Sequence, residues 1–413
     1  GFPVFDTDRV EVLRGPQGSL FGRNSPAGVV KFESTRPSQE FNGYGKVGIG
    51  DDNMWNLEGA VGGGLTDQWS GRASVLFQRR DDWVDNTFPG PNDGFEGYDE
   101  SAARLQALYE GESFDALFNV HARHLNGTAR LFRANIIKKG TNDLVDGFDE
   151  DKVALDGLNH SELDSFGASA RLSWNLGEGY TLYSITGYET LDTFSRGDID
   201  GSAGPYFTPA VPFASETADG IPDHSQWTQE FRIESNTGTA WNWQAGLFYF
   251  NEDYDVESFS YDSLNGGAQD GYERINQTND SWAVFGGVTW QATHKLELRA
   301  GARYTWDKKD LKVEDYFNTG FAPCIGPSLG FLPPPVRCTL ADLAAAAPDG
   351  DLSASTDDQK FSWDLSATYE INDDVNVYGR FATGYRGSSI QAASAFNFKS
   401  GAAPETSNSI EMG

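Results

Sequence analysis

Apolar and polar residues alternate along most of this chain with a period of two. In one run Leu298, Ala300 and Ala302 share one parity, while Arg299 and Arg303 occupy the other. Comparable runs cover residues 114–121, 165–174, 295–306 and 361–370. Successive side chains of a strand point to opposite faces, so the pattern predicts strands with one apolar and one polar face. The predicted fold class is therefore all-β.

The connections between these strands differ in length in a regular way. Tight turns are predicted near 65–68, 110–113, 175–179, 235–240, 291–294 and 372–374. Long polar connections are predicted near 81–100, 126–161, 194–225, 255–278, 309–358 and 387–405. Short turns on one side and long loops on the other are typical of a transmembrane antiparallel β-barrel, and a soluble sandwich has no physical reason to sort them. About fourteen strands are predicted, the first near 43–50 and the last beginning near 406.

Aromatic residues at the strand ends fit the same architecture. Outer-membrane barrels carry girdles of aromatic side chains at both interfaces, and about ten tilted residues suffice to cross the bilayer. We expect two such girdles to include Trp69, Trp174, Tyr180, Trp241, Trp290, Trp306 and Tyr369.

Composition excludes several other classes of protein. The 413 residues include 31 Lys and Arg against 61 Asp and Glu, a formal net charge of −30. Nucleic acid is therefore excluded as a partner, because phosphate binding needs clustered cations. No apolar run approaches the roughly 18 residues that a membrane helix needs. No nucleophile elbow, zinc-protease motif or phosphate loop occurs, so we predict no enzyme, catalytic residue, metal ligand or cofactor.

The two cysteines, Cys324 and Cys338, fall in one long predicted connection. Their spacing suits a disulfide that closes a loop of about 15 residues and stabilises the fold by about 3 kcal/mol. Such a bond implies an oxidising compartment. A pair of unrelated thiols is the alternative.

Residues 9–37 form a short segment punctuated by glycine. A β-prone run ends at Arg14, Gly15 and Pro16; Gly22 closes a Leu-Phe-Gly step, and Gly28 opens a Gly-Val-Val strand. Proline fixes φ and glycine permits positive φ, so the chain must turn there. In sequence and spacing the segment resembles the last part of the plug domain of TonB-dependent outer-membrane receptors. Taken alone, it also fits an ordinary hairpin of a soluble domain.

A second stretch extends this resemblance to the end of the chain. Residues 384–387 and 404–413 are similar to a mid-barrel signature of the same receptors. The family barrel has twenty-two strands around a plug. The resemblance therefore implies that residues 1–40 are the carboxyl-terminal end of a plug domain and residues 41–413 the first part of a truncated barrel. The TonB box, the early plug and the last strands would lie outside this sequence.

The resemblance also implies a function. It predicts energised uptake of a scarce nutrient, with a ferric siderophore as the leading ligand, across the outer membrane of a Gram-negative bacterium. Implied partners are a TonB-like energy-transducing protein, the lipid bilayer and lipopolysaccharide. An oligosaccharide or another nutrient is the alternative ligand, and a passive porin-like barrel is the alternative from a different class.

Two groups of residues are candidates for the site. Arginines on the polar register would be costly against lipid, so we expect them to face the lumen and the plug: Arg72, Arg104, Arg171, Arg232, Arg299, Arg303 and Arg380. Aromatic residues in the long predicted loops are candidate ligand contacts, since rings beside polar groups suit planar chelates and sugars: Trp83, Tyr98, Tyr206, Tyr261 and Tyr272.

Overall fold

The computed structural model describes residues 3–22, 24–90, 92–128, 131–203, 216–262, 268–318, 338–346, 350–391 and 400–413. These residues form twenty-two strands and one short helix, so the all-β prediction is confirmed. The elements are β1 (Thr7–Arg14), β2 (Gly28–Ser34), β3 (Asn42–Ile49), β4 (Trp55–Gly64), β5 (Trp69–Arg80), β6 (Val84–Asn86), β7 (Gly94–Phe95), β8 (Tyr98–Glu110), β9 (Phe114–Gly127), β10 (Lys152–Val153), β11 (His160–Gly177), β12 (Tyr180–Asp198), β13 (Glu216–Ser235), β14 (Trp241–Asp262), β15 (Ala268–Thr293), β16 (Leu296–Asn318), β17 (Cys338–Thr339), α1 (Leu340–Ala346), β18 (Ser353–Asn372), β19 (Val375–Arg386), β20 (Ser389–Gln391), β21 (Ser400–Ala402) and β22 (Glu405–Met412).

One large antiparallel sheet, which we call the wall, contains most of the chain. Its order is β3-β4-β5-β8-β9-β11-β12-β13-β14-β15-β16-β18-β19-β22, and the short β17 pairs with β16. The path thus contains the fourteen strands predicted. Each strand pairs with the next long strand of the sequence, as in an up-and-down barrel.

The predicted tight turns are confirmed, but three of the predicted long loops are wrong. Strand β12 extends to Asp198, and β13 already begins at Glu216. Strands β14, β15 and β16 likewise run through most of 255–278 and the first part of 309–358. These hairpins rise well beyond the length that crosses a bilayer, which is about 9–11 residues.

The two faces of the wall have opposite polarity. The inner face, defined as the one that contacts residues 3–26, buries polar side chains such as Ser281 and Thr305. The outer face exposes large apolar side chains on successive strands: Phe118, Phe166, Phe231, Leu247, Trp282, Val284 and Phe361. Apolar side chains outside and polar side chains inside invert the arrangement of a soluble protein. This polarity, together with the topology, identifies a transmembrane antiparallel β-barrel wall.

Aromatic side chains border the apolar band on both sides. Near the tight turns, Trp241 stacks on Trp290 with ring centroids 4.7 Å apart. Farther along the same hairpin, Tyr249 packs on Trp282 at 4.3 Å. The two levels are about eight residues apart, which corresponds to roughly 20 Å across the membrane for a tilted strand. We call the level of Trp241 and Trp290 the lower ring, and it also includes Trp69, Tyr109, Phe114, Trp174 and Tyr180. We call the level of Tyr249 and Trp282 the upper ring, and it continues through Tyr304 and Trp306.

The amino-terminal segment, residues 3–40, lies against the inner face. Strands β1 and β2 form an antiparallel pair, from Arg14 opposite Gly28 to Thr7 opposite Ser34. The segment contacts early strands, where the Asp6 amide donates to Glu58 on β4. It also contacts a late strand, where the Asn24 amide donates to the Tyr385 carbonyl on β19. Since both ends of the wall reach one short segment, the sheet must curl around it.

Small buried clusters lie beyond the membrane band. Helix α1 packs Leu343 against Val313, Tyr316 and Cys338. Cys338 is 1 % exposed and disulfide-bonded. Cys324 lies outside the described residues, so its pairing with Cys338 stays a prediction. No helix within the described ranges has the length and apolar character to span a membrane.

Candidate functional site

Arg72 and Asp6 form a buried ion pair between wall and segment. The Arg72 Nη2 and Nε donate to the two Asp6 carboxylate oxygens at 2.5 and 2.7 Å. The two side chains are 4 % and 0 % exposed. The Asn42 Oδ1 accepts from the Arg72 Nη1 at 2.5 Å, which adds a partner for the guanidinium. A bidentate pair of this kind combines charge with a fixed geometry.

Arg104 contacts the segment at Phe5, one residue before Asp6. Its guanidinium lies 4.6 Å from the Phe5 ring centroid, and its Nη1 donates to the Phe5 carbonyl at 3.3 Å. This is a cation–π contact supplemented by a hydrogen bond, and unlike the Arg72 contact it involves no carboxylate of the segment.

Arg303 is a buried arginine that contacts the turn of the segment. It is 4 % exposed, and its Nη1 donates to the Leu20 carbonyl at 3.4 Å. The rings of Phe248 and Phe285 lie 5.1 and 5.5 Å from its guanidinium carbon. A Cβ at Gly22 would come within 2.9 Å of the Arg303 Nε. Gly22 therefore makes room for the arginine.

Arg380 holds the Gly-Pro turn. Its Nη2 donates to the Pro16 carbonyl at 2.9 Å, and its Nη1 donates to the Arg14 carbonyl at 3.4 Å. Glycine is required in this turn region, because Gly22 has φ +79° and Gly28 has φ +145°. A side chain at Gly28 would also meet the Leu13 carbonyl at 2.5 Å. The signature residues thus shape the turn that the wall arginines hold.

The other three predicted arginines have different surroundings. The guanidinium carbons of Arg171 and Arg232 lie 5.1 and 5.2 Å from the centroid of the Tyr183 ring. The Arg232 Nη1 also donates to Glu230 at 3.0 Å. Arg299 is exposed and borders a cavity between the wall and the segment. The structure therefore brings Arg72, Arg104, Arg303 and Arg380 together on the segment and places the remaining three on the wall around it.

Two cavities separate the segment from the wall. One of about 770 Å³ is bordered by the turn of the segment and by charged wall residues, including Glu234, Arg299, Asp364, Arg380 and Glu411. The Ser19 hydroxyl donates to Asp364 across it. The other, of about 590 Å³, lies beside Phe5 and includes two paired groups: His121 with Glu189 at 3.2 Å, and His224 with Glu252 at 3.4 Å. Both cavities are of a size that accepts a small molecule, and the one beside Phe5 is the more apolar of the two.

The predicted ligand-contacting aromatics do not form one group. Trp83 packs against the buried cluster of Val84, Phe95, Val153 and Leu155, and Tyr98 begins β8 beneath the Arg80 guanidinium. Tyr261 and Tyr272 lie on β14 and β15, so their assignment to a loop was wrong. Strand alternation places Tyr272 on the same face as Trp282, the outer face. Tyr206 lies outside the described residues.

A buried group of carboxylates was missed from the sequence. Asp156, Asp198 and Asp200 place carboxylate oxygens within 4.8 Å of one another, a spacing that could hold a metal ion. Burial raises the pKa of Asp198 to about 7, backbone N–H donors of Gly201 and Gly157 oppose this rise, and the Asp200 charge adds to it. A second group, His124, Glu162 and Asp164, has the same spacing but is largely exposed.

Asp6 is the functional residue that the sequence analysis missed most directly. It lies 66 positions before Arg72 in the chain, and no motif distinguishes it from neighbouring acids such as Asp8. The available signal was indirect: an inward arginine on β5 needs a counter-charge if it is buried.

Comparison with known proteins gives the family. The family model described as TonB dependent receptor-like, beta-barrel matches residues 129–413, more than half of the chain. The chain belongs to this family. Its members are receptors and transporters, and barrels of this family lie in the outer membrane of Gram-negative bacteria. The predicted family and location are therefore confirmed.

Curated relatives agree with this assignment over most of the chain. The pesticin receptor of Yersinia enterocolitica serotype O:8 is 23 % identical over 393 residues, which cover 92 % of this chain and 49 % of that receptor. The ferripyoverdine receptor of Pseudomonas aeruginosa is 33 % identical over 81 residues, 19 % of this chain and 10 % of that protein. The chain thus spans about half the length of the pesticin receptor.

Solved structures share the fold. The ferric yersiniabactin uptake receptor FyuA from Yersinia pestis superposes with a TM-score of 0.75 at 18 % identity, over 99 % of this chain and 57 % of that one. The ferric-catecholate import receptor Fiu from Escherichia coli K12 gives 0.66 at 15 % identity, over 99 % and 60 %. At such identities the likeness establishes the fold alone.

Proposed function

We propose that the receptor containing this chain takes up a ferric siderophore across the outer membrane in an energised step. In this proposal residues 1–40 are the end of the plug domain, and residues 41–413 are the first part of the barrel. The observation that carries it is the seating of the amino-terminal segment on the inner wall by Arg72, Arg303 and Arg380. A passive pore has no use for a segment held across its lumen.

The contacts also suit a plug that must be displaced. Three of the four arginines meet the segment through backbone carbonyls or a ring, which are modest interactions of about 1 kcal/mol each. The buried Asp6–Arg72 pair is the firm contact. A TonB-like partner, acting through an upstream box, would supply the work that separates these contacts, since release of a tightly bound ligand must overcome its binding free energy.

The siderophore itself is favoured by the relatives. FyuA and Fiu are named as uptake receptors for ferric ligands, and the ferripyoverdine receptor is named for another. Trp83, Tyr98 and Tyr206 remain our proposed ligand contacts. We propose no catalytic role for this chain. An oligosaccharide or another nutrient is the alternative ligand.

The proposal is tested by uptake of labelled ferric siderophore in cells that express the full receptor gene. We expect uptake that stops when the proton gradient is collapsed and when the TonB-like partner is deleted. Undiminished uptake without a gradient would contradict the energised mechanism. Energised uptake of an oligosaccharide, with no siderophore uptake, would keep the mechanism and replace the ligand.

A further inference from the structure

The outer face of the β14–β15 hairpin changes character above the upper ring. Between the two rings its paired positions are apolar or small, as in Leu247 opposite Val284. Above Tyr249 and Trp282 the next pairs are polar. Their side chains hydrogen-bond across the strands: Asn251 with Asp280 at 2.9 Å, and Asn276 with Asp253 at 2.9 Å and Asp255 at 3.0 Å. The membrane band therefore ends at the upper ring, and the hairpin continues outside it.

Aromatic side chains return on the same face higher up. Phe194, Phe259, Tyr272 and Phe317 come from β12, β14, β15 and β16, and we call them the upper aromatic stripe. Neighbouring ring centroids are 6.1, 5.1 and 6.3 Å apart in that order. All four side chains are half-buried, so each presents part of a ring to the surroundings.

Hydrogen-bonding groups border the stripe. The Tyr272 hydroxyl donates to Glu257 at 2.6 Å. The Arg196 guanidinium lies 3.7 Å from the Tyr261 ring centroid and pairs with Glu216. Half-exposed rings stack on the apolar faces of sugar rings, and carboxylates accept hydrogen bonds from hydroxyl groups.

The height of the stripe indicates what lies beside it. Phe259 is about ten residues beyond Tyr249 on one continuous strand, which corresponds to roughly 25 Å above the upper ring for a tilted strand. The stripe is continuous with the membrane-facing surface and faces sideways, away from the lumen. At that height the outer leaflet presents the oligosaccharide of lipopolysaccharide, whose sugars extend from the lipid headgroups.

We propose that the upper aromatic stripe binds the core oligosaccharide of the surrounding lipopolysaccharide. This inference goes beyond the uptake function and does not depend on it. The rings stack on sugar faces, while Glu257 accepts from sugar hydroxyls at their edge. The lipid part is held separately, by the apolar band between the two rings.

The full receptor is reconstituted in nanodiscs with lipopolysaccharide that carries its complete core or with lipopolysaccharide truncated to lipid A. We expect a higher Tm in the complete form for the wild type and loss of that difference in Phe259→Leu/Tyr272→Leu. Lipid-free core oligosaccharide should bind the receptor in truncated discs, and the double variant should weaken this binding about tenfold.

Tyr254→Leu is the matched control. Tyr254 lies on β14 with the opposite parity, 6.2 Å from the His224 ring, so it faces the lumen. It should lower Tm equally in both lipopolysaccharides and leave oligosaccharide binding unchanged. The rings also pack across strands, so a Tm loss that is the same in both lipids would assign the stripe to hairpin stability alone and overturn the proposal. Association of receptors that the double variant abolishes, without sugar binding, would assign it to a second copy.

Discussion

Among the contacts that hold the amino-terminal segment, those of Arg72 and Arg303 differ in kind. At Asp6 the wall provides Arg72, and two charges are buried together with both carboxylate oxygens occupied. At the turn, Arg303 is equally buried, yet it donates to the Leu20 carbonyl and lies beside two phenylalanine rings. Removing one partner of a buried ion pair typically costs 3–5 kcal/mol, whereas a neutral hydrogen bond contributes about 1 kcal/mol. The first contact is an anchor that depends on side-chain identity, and the second depends on the shape of the backbone.

The largest expected effect comes from breaking the anchor. Asp6→Asn leaves the Arg72 guanidinium buried without a counter-charge, and we expect the seated state of the segment to lose about 3 kcal/mol or more. Hydrogen exchange of the β1 and β2 amides in the full receptor measures this loss. Asp8→Asn is the control, because Asp8 is 54 % exposed and its ion pair among the described residues is with Arg9 of the segment itself. Equal exchange in both variants would contradict the anchor.

A smaller effect is expected at the turn. Gly22→Ala meets two obstacles, a φ of +79° and the Arg303 side chain 2.9 Å from the new Cβ. Gly140→Ala is a matched control, since Gly140 has φ +80° and no heavy atom within 4 Å of a Cβ. Both should show the backbone cost of about 1–2 kcal/mol, and Gly22→Ala should cost more. Stability in denaturant measures both, and identical losses would show that the Arg303 contact adds nothing.

Arg380→Gln should have a milder effect than either. The substitution weakens the two hydrogen bonds to the Arg14 and Pro16 carbonyls. For a half-exposed group these two bonds together contribute about 1 kcal/mol. Arg299→Gln is the control, because Arg299 borders the same cavity without a hydrogen bond to the segment among the described contacts. Exchange of amides in residues 15–22 should rise for Arg380→Gln alone. A rise of equal size in the control would mean that loss of cavity charge, and not loss of the two hydrogen bonds, loosens the turn.

A change of pH should affect the upper hairpins and leave the amino-terminal segment unchanged. Burial raises the pKa of Asp198 and of Glu273 to about 7, from ordinary values of 3.8 and 4.5. The folded state therefore binds more protons than the unfolded state between these values. Their stabilising contribution is complete at about pH 4 and is lost as the pH rises through 7.

We accordingly expect exchange in β13 and β15, corrected for intrinsic rates, to increase between pH 5.5 and 8. Asp198→Asn should flatten the pH profile of β13 and leave that of β15 unchanged. A profile for β13 that stays steep in the variant would exclude Asp198 as its cause.

Sequence alone predicted the wall because the membrane imposes a strict period of two. Leu298, Ala300 and Ala302 face lipid, and Arg299 and Arg303 face the lumen, so each position reports its environment. The same rule failed above the membrane. There the outer face carries polar residues, namely Asp253, Asp255 and Asn276. Because apolar and polar positions no longer alternate, the sequence pattern predicted a loop where the structure has strands.

The site was predictable only in part for a different reason. Arginines on the polar register of a strand predict which face is turned to the lumen. No sequence pattern predicts which residues they contact. Leu20 and Pro16 contribute backbone carbonyls, which every residue has, and Asp6 is one acid among 61 acidic residues. Which of them meets an arginine is decided by the curl of the sheet and not by any local pattern.

That curl has a kinetic consequence. The contacts of Ser19 with Asp364 and of Arg380 with Pro16 join positions 345 and 364 apart in the chain. Long separations between contacting residues slow folding, because the loop between them must be closed before the contact contributes. The turn of the segment, from Arg14 to Ser19, is therefore among the last parts of the chain to reach its native neighbours, because β18 and β19 must form first.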